Sequence, residues 1–260
     1  MSATDDLVPL LKKLRLSGVL QSLELRTRQA VEDSLSHPEF LYRLLLDEVE
    51  RREGKQLEMR VRRASFEHPT TLEDFDFHFN PAIPKARVID LATCAFVERR
   101  ENVLLVGKTG VGKTHLAQAF GLRACRLGYD VLFVSAPDLF RQLRAARGDG
   151  TYERKLARVT SVDVLVVDDL GLRPLNSEEA GDLYEVIRLR HRHGSLVITS
   201  NRAIEELAVL FGDPLLASAA MDRLLENAHQ LVLEGDSFRN PPPTKRGRGL
   251  KTKSTEEEGS

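Results

Sequence analysis

Residues 103–114 constrain this chain more than any other stretch. Val103-Leu-Leu-Val106 is a short apolar run of the kind that forms a buried strand. It passes directly into Gly107-Lys-Thr-Gly-Val-Gly-Lys-Thr114, and a helical pattern follows over 115–125. Strand, glycine-rich loop and helix in that order build a phosphate cradle. Glycines let backbone amides curl around an anion without Cβ clashes. The helix N-terminus adds partial positive charge beneath it. Lys113 is spaced to reach β- and γ-phosphates, and the Thr114 hydroxyl to ligate Mg²⁺. Gly-Lys-Thr occurs twice, but Lys108 is not the phosphate lysine, because Asn102 stands where its spacing needs glycine. The ligand implied is Mg-ATP, cradled by Gly107, Lys108, Thr109, Gly110, Val111, Gly112, Lys113, Thr114 and His115.

Two other strand ends carry polar groups suited to such a ligand. Val162-Asp-Val-Leu-Val-Val-Asp168-Asp169 is an apolar run closing on two acids. Ligands of α/β sheets sit in the crevice outside the carboxyl ends of the strands. There Asp168 suits the Mg²⁺ shell with Thr114, and Asp169 is placed to orient or deprotonate the attacking water. The plainer alternative is a carboxylate pair capping the turn at Gly171. Leu196-Val-Ile-Thr-Ser-Asn201 is the second such strand. If it lies between the other two, Asn201 faces the γ-phosphate or the water; the alternative is an N-cap for a helix starting at Arg202.

Around these motifs the chain divides into four parts. Residues 1–69 read as all-helical, a candidate partner- or DNA-docking domain. Leu7, Leu10, Leu11, Leu14, Val19 and Leu23 form one apolar stripe of a first helix, and Ser36-His-Pro-Glu39 signals the start of another. Residues 70–85, punctuated by Pro81 and Pro84, read as a linker arm. Phe75, Phe77 and Phe79 alternate there as in an extended segment. Over 86–238 strands at 103–106, 131–134, 162–167, 196–199 and 231–233 alternate with helices capped at Ser135 and Asn176. That pattern is a parallel sheet covered on both faces. Residues 239–260 form a charged tail of disordered composition.

Composition narrows the setting. Lys and Arg number 38 against 39 Asp and Glu, so any nucleic-acid surface is a local patch. Two cysteines make no disulfide framework, and a reducing cytoplasmic home is expected. The N-terminus carries acids before a short apolar run, unlike a signal peptide, and no apolar run reaches membrane-spanning length. Arg51, Arg52, Lys55, Arg60, Arg62 and Arg63, then Arg188, Arg190 and Arg192, and the lysines and arginines of the tail, are candidate phosphate contacts. Interleaved Glu48, Glu50, Glu53 and Glu58 equally describe a solvated helix face.

Taken together these residues resemble the IstB-like family of AAA+ ATPases, insertion-sequence transposition helpers related to the DnaC helicase loaders. The resemblance rests on Leu14-Arg-Leu-Ser-Gly18, Glu98-Arg-Arg-Glu-Asn-Val-Leu-Leu, Gly112-Lys-Thr-His-Leu-Ala117, Asp168-Asp-Leu-Gly171, Thr199-Ser-Asn201, Asp222-Arg-Leu-Leu225 and Glu234-Gly-Asp-Ser-Phe-Arg239. It implies a five-stranded sheet of order 5-1-4-3-2 with little or no C-terminal lid. It implies ATP hydrolysis, ATP-dependent homo-oligomers on double-stranded DNA, and recruitment of a transposase. In that scheme Asn201 matches the sensor asparagine, and Arg223 the arginine that acts on a neighbour's nucleotide. Two positions depart from the pattern: Lys108-Thr109 replaces a proline-containing pair, and Asp169 stands where AAA+ proteins at large prefer Glu. A helicase loader, a small-metabolite kinase and a clamp that binds ATP but barely hydrolyses it are the alternatives.

Overall fold

The computed structural model describes residues 3–238; the charged tail at 239–260 lies outside them. Three helices come first: α1 Ala3–Lys13, α2 Ser17–Glu32 and α3 His37–Ala64. Then follow α4 Lys85–Ala92, α5 Ala95–Glu98, β1 Val103–Gly107, α6 Lys113–Arg126, β2 Val131–Ser135, α7 Ala136–Gly148 and α8 Tyr152–Thr160. The chain continues through β3 Val164–Leu170, α9 Ser177–Arg190, β4 Ser195–Ser200, α10 Ile204–Leu207, a 3₁₀ turn Ala208–Phe211, α11 Pro214–Leu225 and β5 His229–Leu233.

The five strands form one parallel sheet ordered β2-β3-β4-β1-β5, the expected 5-1-4-3-2 read from the other edge. Side chains alternate across it. Leu104, Val106, Leu165, Val167 and Ile198 enter a core with α7, α8, α9 and α11. Val103, Leu105, Val166, Val197 and Leu231 enter the opposite core with α4 and α6. Burial on both faces explains why these strands read as continuous apolar runs. β4 lies between β1 and β3, so the chain ends leaving all three strands converge at one crevice.

The N-terminal stripe does not form one helix. α1 stops where Arg15 takes φ 56°. Leu16 N–H donates to Leu11 C=O and Arg15 N–H to Lys12 C=O, the paired bonds of a Schellman C-cap. The apolar stripe continues across the break because Leu11, Val19 and Leu23 meet Leu44 in one small core. The capping box expected at Ser36 and the caps expected at Ser135 and Asn176 all form, the last as a full capping box with Glu179. α3 then runs through 28 residues, about 42 Å. Its Leu44 belongs to the small N-terminal core, and its Ala64, with Leu57 and Val61 alongside, to the sheet core.

The arm at 70–85 is not extended. Asp74 accepts from Thr71 N and Oγ1, and Asp76 from the amides of His78 and Phe79. These aspartate turns fold the backbone back on itself. Phe75 and Phe77 meet edge to face at 4.8 Å between ring centroids, closer than the roughly 7 Å that separates residues two apart along one face of an extended strand. β3 also starts two residues later than expected, because 161–163 form a turn whose carbonyls Arg190 holds. Arg190 is fully buried and donates to the carbonyls of Val159, Thr160, Val162, Asp163 and Ser195. That removes it from the candidate phosphate contacts. Arg52, Arg188 and Arg192 are paired with Glu48, Glu185 and Glu226, and Arg60 Nε donates to the Cys125 carbonyl.

Candidate functional site

The crevice at the ends of β1, β3 and β4 holds a cleft of about 430 Å³. Thr109, Gly110, Gly112, Lys113, Thr114 and His115 line it, together with Asp169 and Asn201. Gly107 and Lys108 border an adjoining cleft that Asn201 also lines. Val111 is buried in the sheet core and anchors the loop from below. The loop needs its glycines: Gly110 and Gly112 hold φ 86° and 98°, a region that side chains strain to occupy. A Cβ on Gly112 would also stand 2.6 Å from the Phe75 ring.

Lys113 opens α6 and is 4% exposed. Its Nζ donates to the carbonyls of Gly107 and Lys108, both at 2.8 Å, which folds the ammonium back over the loop it serves. One residue on, the Thr114 hydroxyl lies 3.0 Å from both carboxylate oxygens of Asp168. Asp168 is also 4% exposed. Burial pushes its carboxyl above the ordinary aspartate range, the Asp169 and Glu67 charges add to that, and the Thr199 and Thr114 hydroxyls oppose it. A hydroxyl and a carboxylate converging from two elements are hard oxygen donors of the kind Mg²⁺ takes, with phosphate oxygens and water completing the shell. The donor set fits that ion.

Thr199 links the two acids. Its hydroxyl donates to Asp168 Oδ1 at 2.6 Å and accepts from the Asp169 amide at 2.9 Å. Here the β3–β4 register slips between Val167 and Leu170, and Asp169 takes φ 56°. The bulge turns consecutive acids to different tasks: Asp168 points inward to Thr114, while Asp169 lines the cleft. Left-handed backbone suits Asp better than Glu, whose longer side chain makes no local bonds that offset the strain. The shorter acid therefore fits the left-handed turn at 169.

Asn201 follows β4 and is not a helix cap. α10 begins at Ile204 after Ala203, and the amide of Arg202 is taken by Ser200 Oγ. The Asn201 Oδ1 is buried without a hydrogen-bond partner, an acceptor that costs free energy until a donor reaches it. Arg223 stands apart from all of these. It lies near the end of α11 and does not line the cleft.

The far end of the cleft is aromatic. Phe75, Phe238 and His115 line it, with Phe75 at 5.3 Å from the His115 ring and 5.6 Å from Phe238. Phe238 is held by its own amide, which donates to the Gly110 carbonyl, and by the Phe79 ring at 4.4 Å. Asn80 ties the two flanking segments: its side-chain amide donates to the Asp236 carbonyl and accepts from the Asp236 N–H, both at 2.8 Å. The spaced phenylalanines were visible in sequence, but the turns that gather them were hidden in Asp74 and Asp76. Thr199 gave only the signal of a polar residue two positions before Asn201.

A family model described as "IstB-like ATP binding protein" matches residues 9–245. A putative ATP-binding protein of an insertion sequence in Mycobacterium tuberculosis is 40% identical over 230 residues, 88% of this chain and 92% of that protein. The putative ATP-binding protein of insertion sequence IS21 from Pseudomonas aeruginosa is 38% identical over 250 residues, 96% of this chain and 94% of its own length. Among solved structures, that of DnaI aligns with TM-score 0.56 at 25% identity, covering 64% of this chain and 91% of DnaI. The DnaC helicase loader aligns with TM-score 0.51 at 24% identity, over 67% and 99% of the two chains.

Proposed function

This chain belongs to the IstB-like ATP-binding protein family, and on that premise we propose that it is an ATP-hydrolysing helper of DNA transposition. In this reading it assembles with copies of itself on double-stranded DNA and recruits a transposase. The observation that carries the catalytic part is the convergence of Thr114 and Asp168 at 3.0 Å beneath the glycine loop. Lys113 swings from the loop carbonyls to the β- and γ-phosphates. Thr114 and Asp168 would hold Mg²⁺, which would offset charge on the phosphate oxygens. Asp169 takes a proton from the attacking water, and the unpaired Asn201 Oδ1 accepts another hydrogen bond from it, fixing the direction of attack. The aromatic end, Phe75 with Phe238, takes the purine base by stacking.

The relatives' insertion-sequence names support transposase as the partner class. The helical unit at 1–69 is the proposed docking domain. ATP turnover with and without duplex DNA, together with sizing in a slowly hydrolysed ATP analogue, tests the proposal. Turnover stimulated by duplex DNA, falling with salt, and larger assemblies in the analogue are expected. Turnover indifferent to DNA, or a phosphorylated small molecule as product, would contradict it.

A further inference from the structure

Most arginines around α7 and α9 are neutralised. Arg144 and Arg173 pair with Glu179, Arg147 with Asp182, Arg188 with Glu185, and Arg192 with Glu226. Arg223 is not: among the described residues its guanidinium makes no ion pair. One N–H, on Nη1, donates to the Ala219 carbonyl at 2.7 Å, and Cζ lies 5.7 Å from the centroid of the Tyr184 ring. Both supports are rigid. Ala220 and Leu224 of α11 and Leu183, Val186 and Ile187 of α9 are buried in one core.

An arginine has five N–H donors. A carboxylate partner would occupy two of them and cancel the charge. A ring beneath the guanidinium plane instead steadies it while leaving its edge, and its full charge, for a bidentate anion. The guanidinium does not line its own chain's cleft, and its charge is left for an anion from outside the chain.

We propose that Tyr184 is a positioning residue for Arg223, presenting its guanidinium to the γ-phosphate held by a second copy of this chain. The proposal rests on the reading above of a self-assembling ATPase. Tyr184 supplies no group to the reaction; it fixes the angle at which Arg223 leaves α11. The effect falls on the chemical step and not on nucleotide affinity.

The test compares Tyr184→Leu, which keeps apolar bulk, with Tyr184→Phe, which keeps the ring, in full-length protein with duplex DNA. Circular dichroism melts verify folding of each. Tyr184→Leu is expected to lower kcat roughly 3- to 30-fold, the range that removing one cation–ring interaction implies. KM should stay within about twofold and Tyr184→Phe should stay near wild type, since the ring face survives. Subunits carrying Asp169→Asn keep the phosphate loop and Arg223 but lack the acid facing the water. Mixing them with Tyr184→Leu subunits, or with Arg223→Ala subunits, should restore turnover to each. Unchanged kcat in Tyr184→Leu, or a loss that mixing does not repair, overturns the positioning role while Arg223→Ala rescue leaves the shared-site reading standing. Failure of mixing to rescue Arg223→Ala overturns the shared-site reading itself.

Discussion

At the level of single side chains, the site places its cost in Asp168. Burial raises that carboxyl above its unfolded value. A group raised in this way lends stability that is fully present below the ordinary aspartate range and lost as pH rises through the raised value. Above that value the ionised form therefore costs the nucleotide-free protein stability. Asp168→Asn is predicted to raise its thermal midpoint and abolish the further gain from Mg-ATP, both read by calorimetry. Thr199 is the complementary case. Thr199→Val keeps the shape but strips the Asp169 amide of its acceptor and Asp168 of a donor. A loss of about 1–3 kcal/mol in chemical denaturation is expected, with turnover falling as Asp169 leaves its left-handed setting. The sequence placed Lys113 and Thr114 in the glycine loop and Asp168, Asp169 and Asn201 at strand ends, and the structure brings all five to one crevice. What sequence did not carry was the bulge at 167–170. A shift of register depends on hydrogen bonds between strands 30 residues apart, which no local pattern records.

Among the secondary elements, the Leu14-Arg-Leu-Ser-Gly18 stretch acquires a physical reason. Arg15 and Leu16 close α1, and Gly18 near the start of α2 lies against α3. There the buried Glu48 carboxylate accepts from the Gly18 and Val19 amides and from Arg52 Nε. Burial works against ionisation of Glu48, but Arg52 and the two amides hold its carboxyl below the usual range. It therefore serves as an N-cap borrowed from another helix. A Cβ on Gly18 would stand 2.7 Å from the Glu48 Cα, which is backbone and cannot turn aside. Gly18→Ala is predicted to destabilise the α2–α3 pair by about 1–3 kcal/mol, seen as faster amide exchange in α2 with β1 and β3 protected as before. Uniform protection across both regions would show that the close approach costs nothing. Helical periodicity revealed the stripe shared by α1 and α2 but not the break within it, because Arg15 lacks the glycine that usually marks a left-handed C-cap. In the same way, Phe75, Phe77 and Phe79 looked like an extended alternation until Asp74 and Asp76 turned the chain before and after Phe75.

Across the whole molecule, sheet order does the assembling. Residues separated by nearly a hundred positions become neighbours because β4 inserts between β1 and β3. Strand order is a property of the right-handed crossovers and not of any one segment, so here it came from resemblance and not from periodicity. α3 spans both cores, so force applied to the N-terminal helices has a continuous path to the sheet carrying the loop. The two cysteines stay outside the chemistry: burial pushes both thiols up to about 11, and modification by a thiol reagent in the native state is expected to be slow. Among the described residues no helix is long and apolar enough to cross a membrane. Everything proposed for this protein depends on the loop after β1 gathering a triphosphate. The most direct test is titration of the wild type and Lys113→Ala with a fluorescent ATP analogue in Mg²⁺. A roughly 10- to 100-fold weaker Kd in the variant is predicted, the worth of one charge-assisted hydrogen bond in a buried site. Equal affinity in the two proteins would contradict it.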